Sequence, residues 1–195
     1  MSFDYGPRGR AFPVADGDTW TVGPHRLTCS DLLRAEVFVA LLDSALAGPH
    51  LVYVDPPWTP GVLNTYRTKA DLTHGNRDEW AALHTLLASF AQGGPLFLES
   101  AVRQAPEVAR ILGSTESWPI TYYRTRAAVL HHVGPEPARG DYSGLDDEMT
   151  PSAVLSDYPD CGIVVDPCVG RGLTAVSAVH AGRLFLGNEI NPRSE

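Results

Sequence analysis

Two short stretches hold residue types that could do chemistry. In "GPHLVYVDPPWTPG", residues 48–61, an apolar run stops at Asp55, two prolines stiffen the next positions, and Trp58 presents a large ring. Proline fixes φ, so Pro56 and Pro57 leave the turn between acid and ring little freedom. In "VVDPCVGRGLTAV", residues 164–176, Gly170 and Gly172 let the backbone pass close to a ligand before a helix begins. Asp166 in the same stretch can accept a hydrogen bond from a cationic or hydroxyl group. One strand later, "LFLGNEIN" puts Glu189 where an acid commonly grips both hydroxyls of a ribose.

Each piece alone also fits ordinary structure: a rigid turn with a packed tryptophan, or a tight strand–helix turn. Together the strand, acid, GxG, helix, strand and terminal acid suit a nucleoside cofactor. The third glycine of the dinucleotide fingerprint is absent, as is any GxxxxGK[ST] loop. A single nucleoside without a pyrophosphate is therefore the better fit.

These loops need elements to position them. "TWTVGPHRLTCSD" reads as two short strands about a Gly23-Pro24 turn, and "DLLRAEVFVALLDSALAG" as a helix capped at Ser30 or Asp31. "HLVYVD" is a strand, residues 59–77 a polar mobile loop, and "RDEWAALHTLLASFAQGG" an amphipathic helix closed by glycines. "PLFLES" is a buried strand, "APEVARILGS" a short helix, and "ITYYRTRAAVLHHV" a pair of strands. After a loop over "GPEPARGDYSGLDDEM", a helix begins at "TPSAVLSDY". "GIVVD", "LTAVSAVHAG" and "RLFLGNEIN" then read as strand, helix and strand. Strands alternate with helices throughout, which predicts an α/β domain on a mostly parallel sheet, where ligands bind at the C-terminal strand ends.

The 195 residues suit one domain, spanning 1–195 and irregular over 1–18. No apolar run is long enough to span a bilayer and no signal-peptide core is present, so a cytoplasmic protein is expected. Cys29, Cys161 and Cys168 form no CxxC pair, which fits a reducing compartment and argues against zinc. The adjacent His131 and His132 lack a helical HxxxH and read as ordinary core or surface residues; no metal site is expected. The formal charge of −8, with Lys69 the only lysine, is unusual for a chain that grips duplex DNA unaided.

"DPPW" together with "DPCVGRGLT…GNEIN" resembles the S-adenosylmethionine-dependent amino-methyltransferases of nucleic acids. The catalytic motif of that family is [DNS]PP[YFW], and its cofactor motif resembles DPFxGxGTT followed by an acid. Here the catalytic motif comes first, as in the circularly permuted β group. "VGPHRLTCSD" resembles the family's "G-HRL-CGD" strand, and "DDEMTPSAVL" the segment ahead of its cofactor strand, so the likeness covers most of residues 22–191. It implies a Rossmann-like class I methyltransferase fold with S-adenosyl-L-methionine as cofactor. It assigns the cofactor to Asp31, near the adenine, and to Asp166, Pro167, Cys168, Gly170, Gly172, Thr174, Glu189 and Asn191.

The resemblance also implies what the DPPW stretch does. An exocyclic amine is a poor nucleophile because its lone pair is delocalised into the ring. The Asp55 carboxylate and Pro56 carbonyl would accept its two N–H bonds, with Pro57 stiffening the turn and Trp58 stacking on a base rotated out of the helix. The methylated ammonium loses its proton readily, so position and electrostatics do most of the work. An acid at the first motif position leans toward N6 of adenine in DNA; N4-cytosine and RNA adenosine stay open.

Several features depart from the family. Cys168 stands where Phe is usual, leaving a smaller side chain beside the cofactor, and Ser30 replaces a Gly. The lysine usual near Pro151 is absent, and the chain stops at "NEINPRSE" without a following helix. One cofactor wall is then incomplete or supplied by the N-terminal segment or another subunit. No separate target-recognition domain fits between "AAVLHHVG" and "DDEMTP". DNA contact would fall to that loop, to Tyr66, Arg67 and Lys69, or to a partner, either a second copy or another subunit. Tyr122, Tyr123, Arg124 and Arg126 read as a strand with one solvated face, or as a small contact patch. The competing readings are a weakly active structural subunit of a methylase complex and a methyltransferase of small amines or nucleotides.

Overall fold

The computed structural model describes residues 15–34, 36, 39–40, 43, 48–114 and 116–190. Its strands are β1 (Thr19–Val22), β2 (His25–Cys29), β3 (His50–Val54), β4 (Leu96–Ala101), β5 (Glu116–Tyr122), β6 (Arg126–Val133), β7 (Ile163–Asp166) and β8 (Leu184–Glu189). The helices are α1 (Pro60–Lys69), α2 (Arg77–Ser89), α3 (Ala105–Leu112), α4 (Thr150–Asp157) and α5 (Leu173–His180). Residues 36, 39–40 and 43 are helical; the rest of the helix expected over residues 31–48 lies outside the described residues, after a single 3-10 turn at Leu32–Arg34.

One eight-stranded sheet runs β1-β2-β8-β7-β3-β4-β6-β5. The five central strands, β2 to β4 in that order, are mutually parallel, and antiparallel pairs close both edges. β3 shows why the centre is so apolar: Leu51, Val52, Tyr53 and Val54 are at most 1% exposed. Successive side chains point to opposite faces. Val52 and Val54 join a core with Leu63, Trp80, Leu83 and Leu87 from α1 and α2. Leu51 and Tyr53 join a second core with Phe97, Val154, Leu155 and Ala178. Helices therefore cover both faces, as a parallel sheet requires.

Residues 59–77, expected as a polar loop, instead form helix α1 over most of their length. Thr59 caps it by accepting from the Val62 N–H at 3.2 Å, and Pro60 occupies the first helical turn, where its missing N–H costs nothing. The helix looks polar because only Leu63 and Arg67 are buried. Arg67 is hidden by an ion pair that residue-by-residue patterning does not reveal. α2 carries a full capping box between Asn76 and Glu79.

The histidine pair is part of the core. His131 and His132 are 1% and 3% exposed; His131 bonds Ser100 Oγ at 2.8 Å and His132 pairs with Glu116 at 3.0 Å. Burial pushes His131 down to about 4, so its ring is neutral near pH 7. All three cysteines are free thiols. No described helix is long and apolar enough to cross a membrane.

Candidate active site

Five acids stand in a row across the C-terminal ends of the parallel strands: Asp31 after β2, Glu189 on β8, Asp166 on β7, Asp55 after β3 and Glu99 on β4. All five line one cavity of about 780 Å³. This is the edge at which open α/β sheets bind ligands. The two loops singled out in the sequence meet there, separated by the β7–β3 boundary.

The DPPW loop is held from both sides. Trp58 Nε1–H donates to Asp55 Oδ1 at 2.7 Å, and Trp80 Nε1–H from α2 donates to the Pro57 carbonyl at 2.8 Å. The Trp58 ring meets Tyr122 edge-on, with centroids 4.5 Å apart. Burial pushes the Asp55 carboxyl up to about 6, against the hydrogen bonds from Trp58 and Tyr122 and the charge of Arg171. Asp55 is thus ionised near neutrality with little reserve.

The glycine loop is equally anchored. Gly170 and Gly172 adopt φ of 49° and 75°, the left-handed region that a side chain disfavours. The Gly170 N–H donates to Glu189 Oε2 at 2.7 Å, which ties the loop to the next strand's acid. Asp166 Oδ1 accepts from the Cys168 N–H at 3.0 Å, and burial raises its carboxyl to about 7 despite that bond and one from Thr174. Asn188, 1% exposed, joins the layers: its amide donates to the Ser30 and Pro167 carbonyls and its oxygen accepts from Thr28 and Ser30 hydroxyls. The serine at the family's glycine position is therefore a working part of this wall. At Gly187 an added Cβ would lie 2.5 Å from Val169 Cγ2, so β8 and the glycine loop pack too closely for a side chain.

Cys168 lines the cavity, but burial and the neighbouring carboxylates hold its thiol well above the usual range. It is a small wall residue and a poor nucleophile. Pro167 and Thr174 also line the cavity, as do Pro56 and Pro57, and Asn191 lies outside the described residues.

The three expected nucleic-acid contacts separate. Tyr66, 38% exposed, and Lys69 border the cavity mouth. Arg67 does not reach the surface: it is 2% exposed and pairs with Asp31 at 2.8 Å while bonding the Thr73 carbonyl at 2.9 Å. A buried guanidinium needs its charge and its N–H groups satisfied inside the protein, and Asp31 does this. Arg67 and Asp31 are accordingly a brace between α1 and the end of β2.

Sequence reasoning passes over several residues of the site. Tyr122, read as part of a solvated strand, is the partner of Trp58. Arg171, inside the glycine loop, pairs with the buried Asp147 and lies 4.2 Å over the Tyr123 ring. Asp147 reaches the site because residues 144–147 pair back along β5, through the Asp147 N–H to Thr121 carbonyl bond and a Thr121–Asp146 bridge. Glu99 and Tyr53 bond each other at 2.6 Å beneath the cavity. The only signal for Glu99 is an acid in an otherwise apolar strand.

No protein-family model and no curated protein matches the chain. Solved structures do. M1.HpyAVI aligns over 84% of this chain and 90% of its own, at 16% identity and a TM-score of 0.55. Its complex with S-adenosylmethionine aligns at 13% identity, over 84% and 91%, with a TM-score of 0.55. TTHA0409 of Thermus thermophilus, named for DNA modification and complexed with S-adenosyl-L-methionine, aligns over 87% and 89% at 19% identity, with a TM-score of 0.54. At such identities the likeness is one of architecture, and the chain has the Rossmann-like class I methyltransferase fold.

Proposed function

We propose that this chain is an S-adenosylmethionine-dependent methyltransferase acting on the exocyclic amine of a base in DNA, with N6 of adenine the first candidate and N4 of cytosine the second. The observation that carries the reading is that Asp55, in its rigid aromatic loop, and Glu189, bonded to the glycine loop, line one cavity. The order of these loops along the chain matches the circularly permuted group.

The residues present fit the cofactor that two structures of this fold contain. A cavity of about 780 Å³ has the size of ligand pockets in general. Its wall of carboxylates suits a sulfonium cation and a ribose diol, with Glu189 and Asp166 nearest the glycine loop. When bound, the cofactor supplies an electrophilic methyl group.

The chain's own residues do the rest. Asp55 accepts one N–H of the target amine and the Pro56 carbonyl the other, drawing the nitrogen toward tetrahedral geometry. Trp58 keeps the carboxylate aimed while its ring and Tyr122 offer an aromatic surface to the base. Arg171 favours the ionised form of Asp55, the form that accepts. The proton released after transfer can pass to Asp55, whose carboxyl, raised to about 6, accepts more readily than an ordinary aspartate.

Choice of a DNA sequence is assigned to a partner, a second copy or another subunit, whereas transfer to the amine itself is assigned to this chain alone. The net charge of −8 works against unaided DNA binding, and residues 144–147 are pinned to β5 without building a lobe. Purified protein with methyl-labelled S-adenosylmethionine should label unmethylated DNA, and Asp55→Ala should still bind cofactor but transfer nothing. Cofactor binding without transfer, or label on free nucleosides alone, would contradict the reading and favour a structural subunit or a small-molecule enzyme.

A further inference from the structure

Glu99 has no role in the mechanism above, yet it is the fifth acid of the row. It is 2% exposed and lines the same cavity as Asp55. Its Oε1 accepts the Tyr53 hydroxyl at 2.6 Å, and its Oε2 meets no hydrogen-bond partner among the described residues. A buried carboxyl oxygen without a partner is costly and calls for an explanation, and beside a cavity a ligand that completes it is one.

The register places it beside the catalytic acid. β3 and β4 are parallel with Val54 opposite Leu98, so the next residue on each strand is Asp55 and Glu99, on the same face. Neighbouring strands lie about 4.8 Å apart, close enough for two carboxyls to reach adjacent atoms of one heterocycle. Because Tyr53 donates to Oε1, a proton on this carboxyl belongs on Oε2, the oxygen left without a partner. Burial and the nearby Asp55 and Asp147 charges push the Glu99 carboxyl well above the usual carboxylate range, toward its protonated form, against the Tyr53 hydrogen bond and the charge of Arg171.

We propose that Glu99 is a specificity-determining residue, its Oε2–H donating to the ring nitrogen beside the target amine while Asp55 accepts from the amine itself. This rests on the methyltransferase reading given above. Adenine and cytosine each present an amine next to an unprotonated ring nitrogen (N1 or N3), the pattern that an acceptor–donor pair of carboxyls matches. Thymine has no amine and leaves the acceptor unmatched; guanine carries its amine between a ring N–H and N3, so the pair rejects it where the N1–H edge faces Glu99.

The test compares kcat/KM on single-stranded oligonucleotides carrying adenine or 1-deazaadenine, and cytosine or 3-deazacytosine, for the wild type, Glu99→Leu and Glu99→Gln. Loss of a hydrogen bond to a buried polar group predicts that the wild type prefers the natural base by about tenfold or more. Glu99→Leu should erase most of that preference, whereas Glu99→Gln, which keeps a donor, should retain it. Calorimetric binding of S-adenosylmethionine reports that each variant is folded. A wild type that methylates the deaza base equally well, or a Leu variant that slows both bases by the same factor, would overturn the assignment. No transfer by the wild type to any natural base would instead overturn the underlying reading, and this with it.

Discussion

Trp58 donates its indole N–H to Asp55 Oδ1 at 2.7 Å, so the ring and the carboxylate of the strand-end loop form one unit. Trp58→Phe keeps the ring and removes the donor. A hydrogen bond to a charged group is worth about 1.5–3 kcal/mol, so its loss should raise the Asp55 pKa by about 1–2 units from a value already near 6. In the mechanism proposed above transfer needs the ionised form, so activity rises with pH through that value. The acid limb of the kcat/KM profile should therefore move to higher pH in Trp58→Phe, while binding of the base changes less than in Trp58→Ala.

Arg171 acts on the same titration from the other loop. Its positive charge lowers the Asp55 carboxyl, and its pairing with Asp147 and stacking on Tyr123 fix its position. Arg171→Met keeps the apolar stem without the charge. The acid limb should again move up, and Asp147, 1% exposed and no longer paired, should lower the melting temperature. Pairing the profile with a thermal melt separates the two effects.

Arg67 separates a structural brace from a DNA contact. Removing one partner of a buried pair leaves an uncompensated charge, so Arg67→Ala should destabilise the fold by about 3–5 kcal/mol in a urea titration. Lys69→Ala should leave stability nearly unchanged and reduce the salt dependence of DNA binding. Equal losses of DNA affinity with no loss of stability in Arg67→Ala would place the guanidinium on the surface.

Asp166 makes stability depend on pH. Its carboxyl ionises near 3.8 in an unfolded chain and at about 7 in the folded one, so the folded state binds more protons between those values. That stabilisation is full below about pH 4 and is lost as pH rises through about 7. Asp166→Asn keeps an acceptor for the Cys168 N–H and removes the titration. Relative to the wild type, the ligand-free variant should gain melting temperature between about pH 5.5 and about pH 8.

Much of this is legible in the sequence because it is local. The strands ending at Asp55 and Asp166, the GxG turn and the helix after Arg77 depend on neighbouring residues, and each forms where its pattern stands. What escapes depends on distant partners. Helix α1 looks like a loop because its buried face consists of one leucine and an arginine neutralised by Asp31, 36 residues away. Thr59 caps this helix and Pro60 opens it, which the polar composition of the stretch conceals. Tyr122 is brought to Trp58 by the antiparallel pairing of β5 with β6, and Asp147 to Arg171 by a parallel bridge onto β5, neither of which a local pattern encodes. Glu99 stays hidden because an acid in a buried strand makes sense only once Tyr53 and the cavity are in view.

The most direct test of the central claim is to express the chain in cells lacking adenine and cytosine amino-methylation and to quantify modified nucleosides by mass spectrometry. Asp55→Ala serves as the control. The account predicts an N-methylated adenine or cytosine in the DNA fraction that disappears in the mutant. Unmodified DNA, from a purified wild-type protein that still binds S-adenosylmethionine, would contradict it.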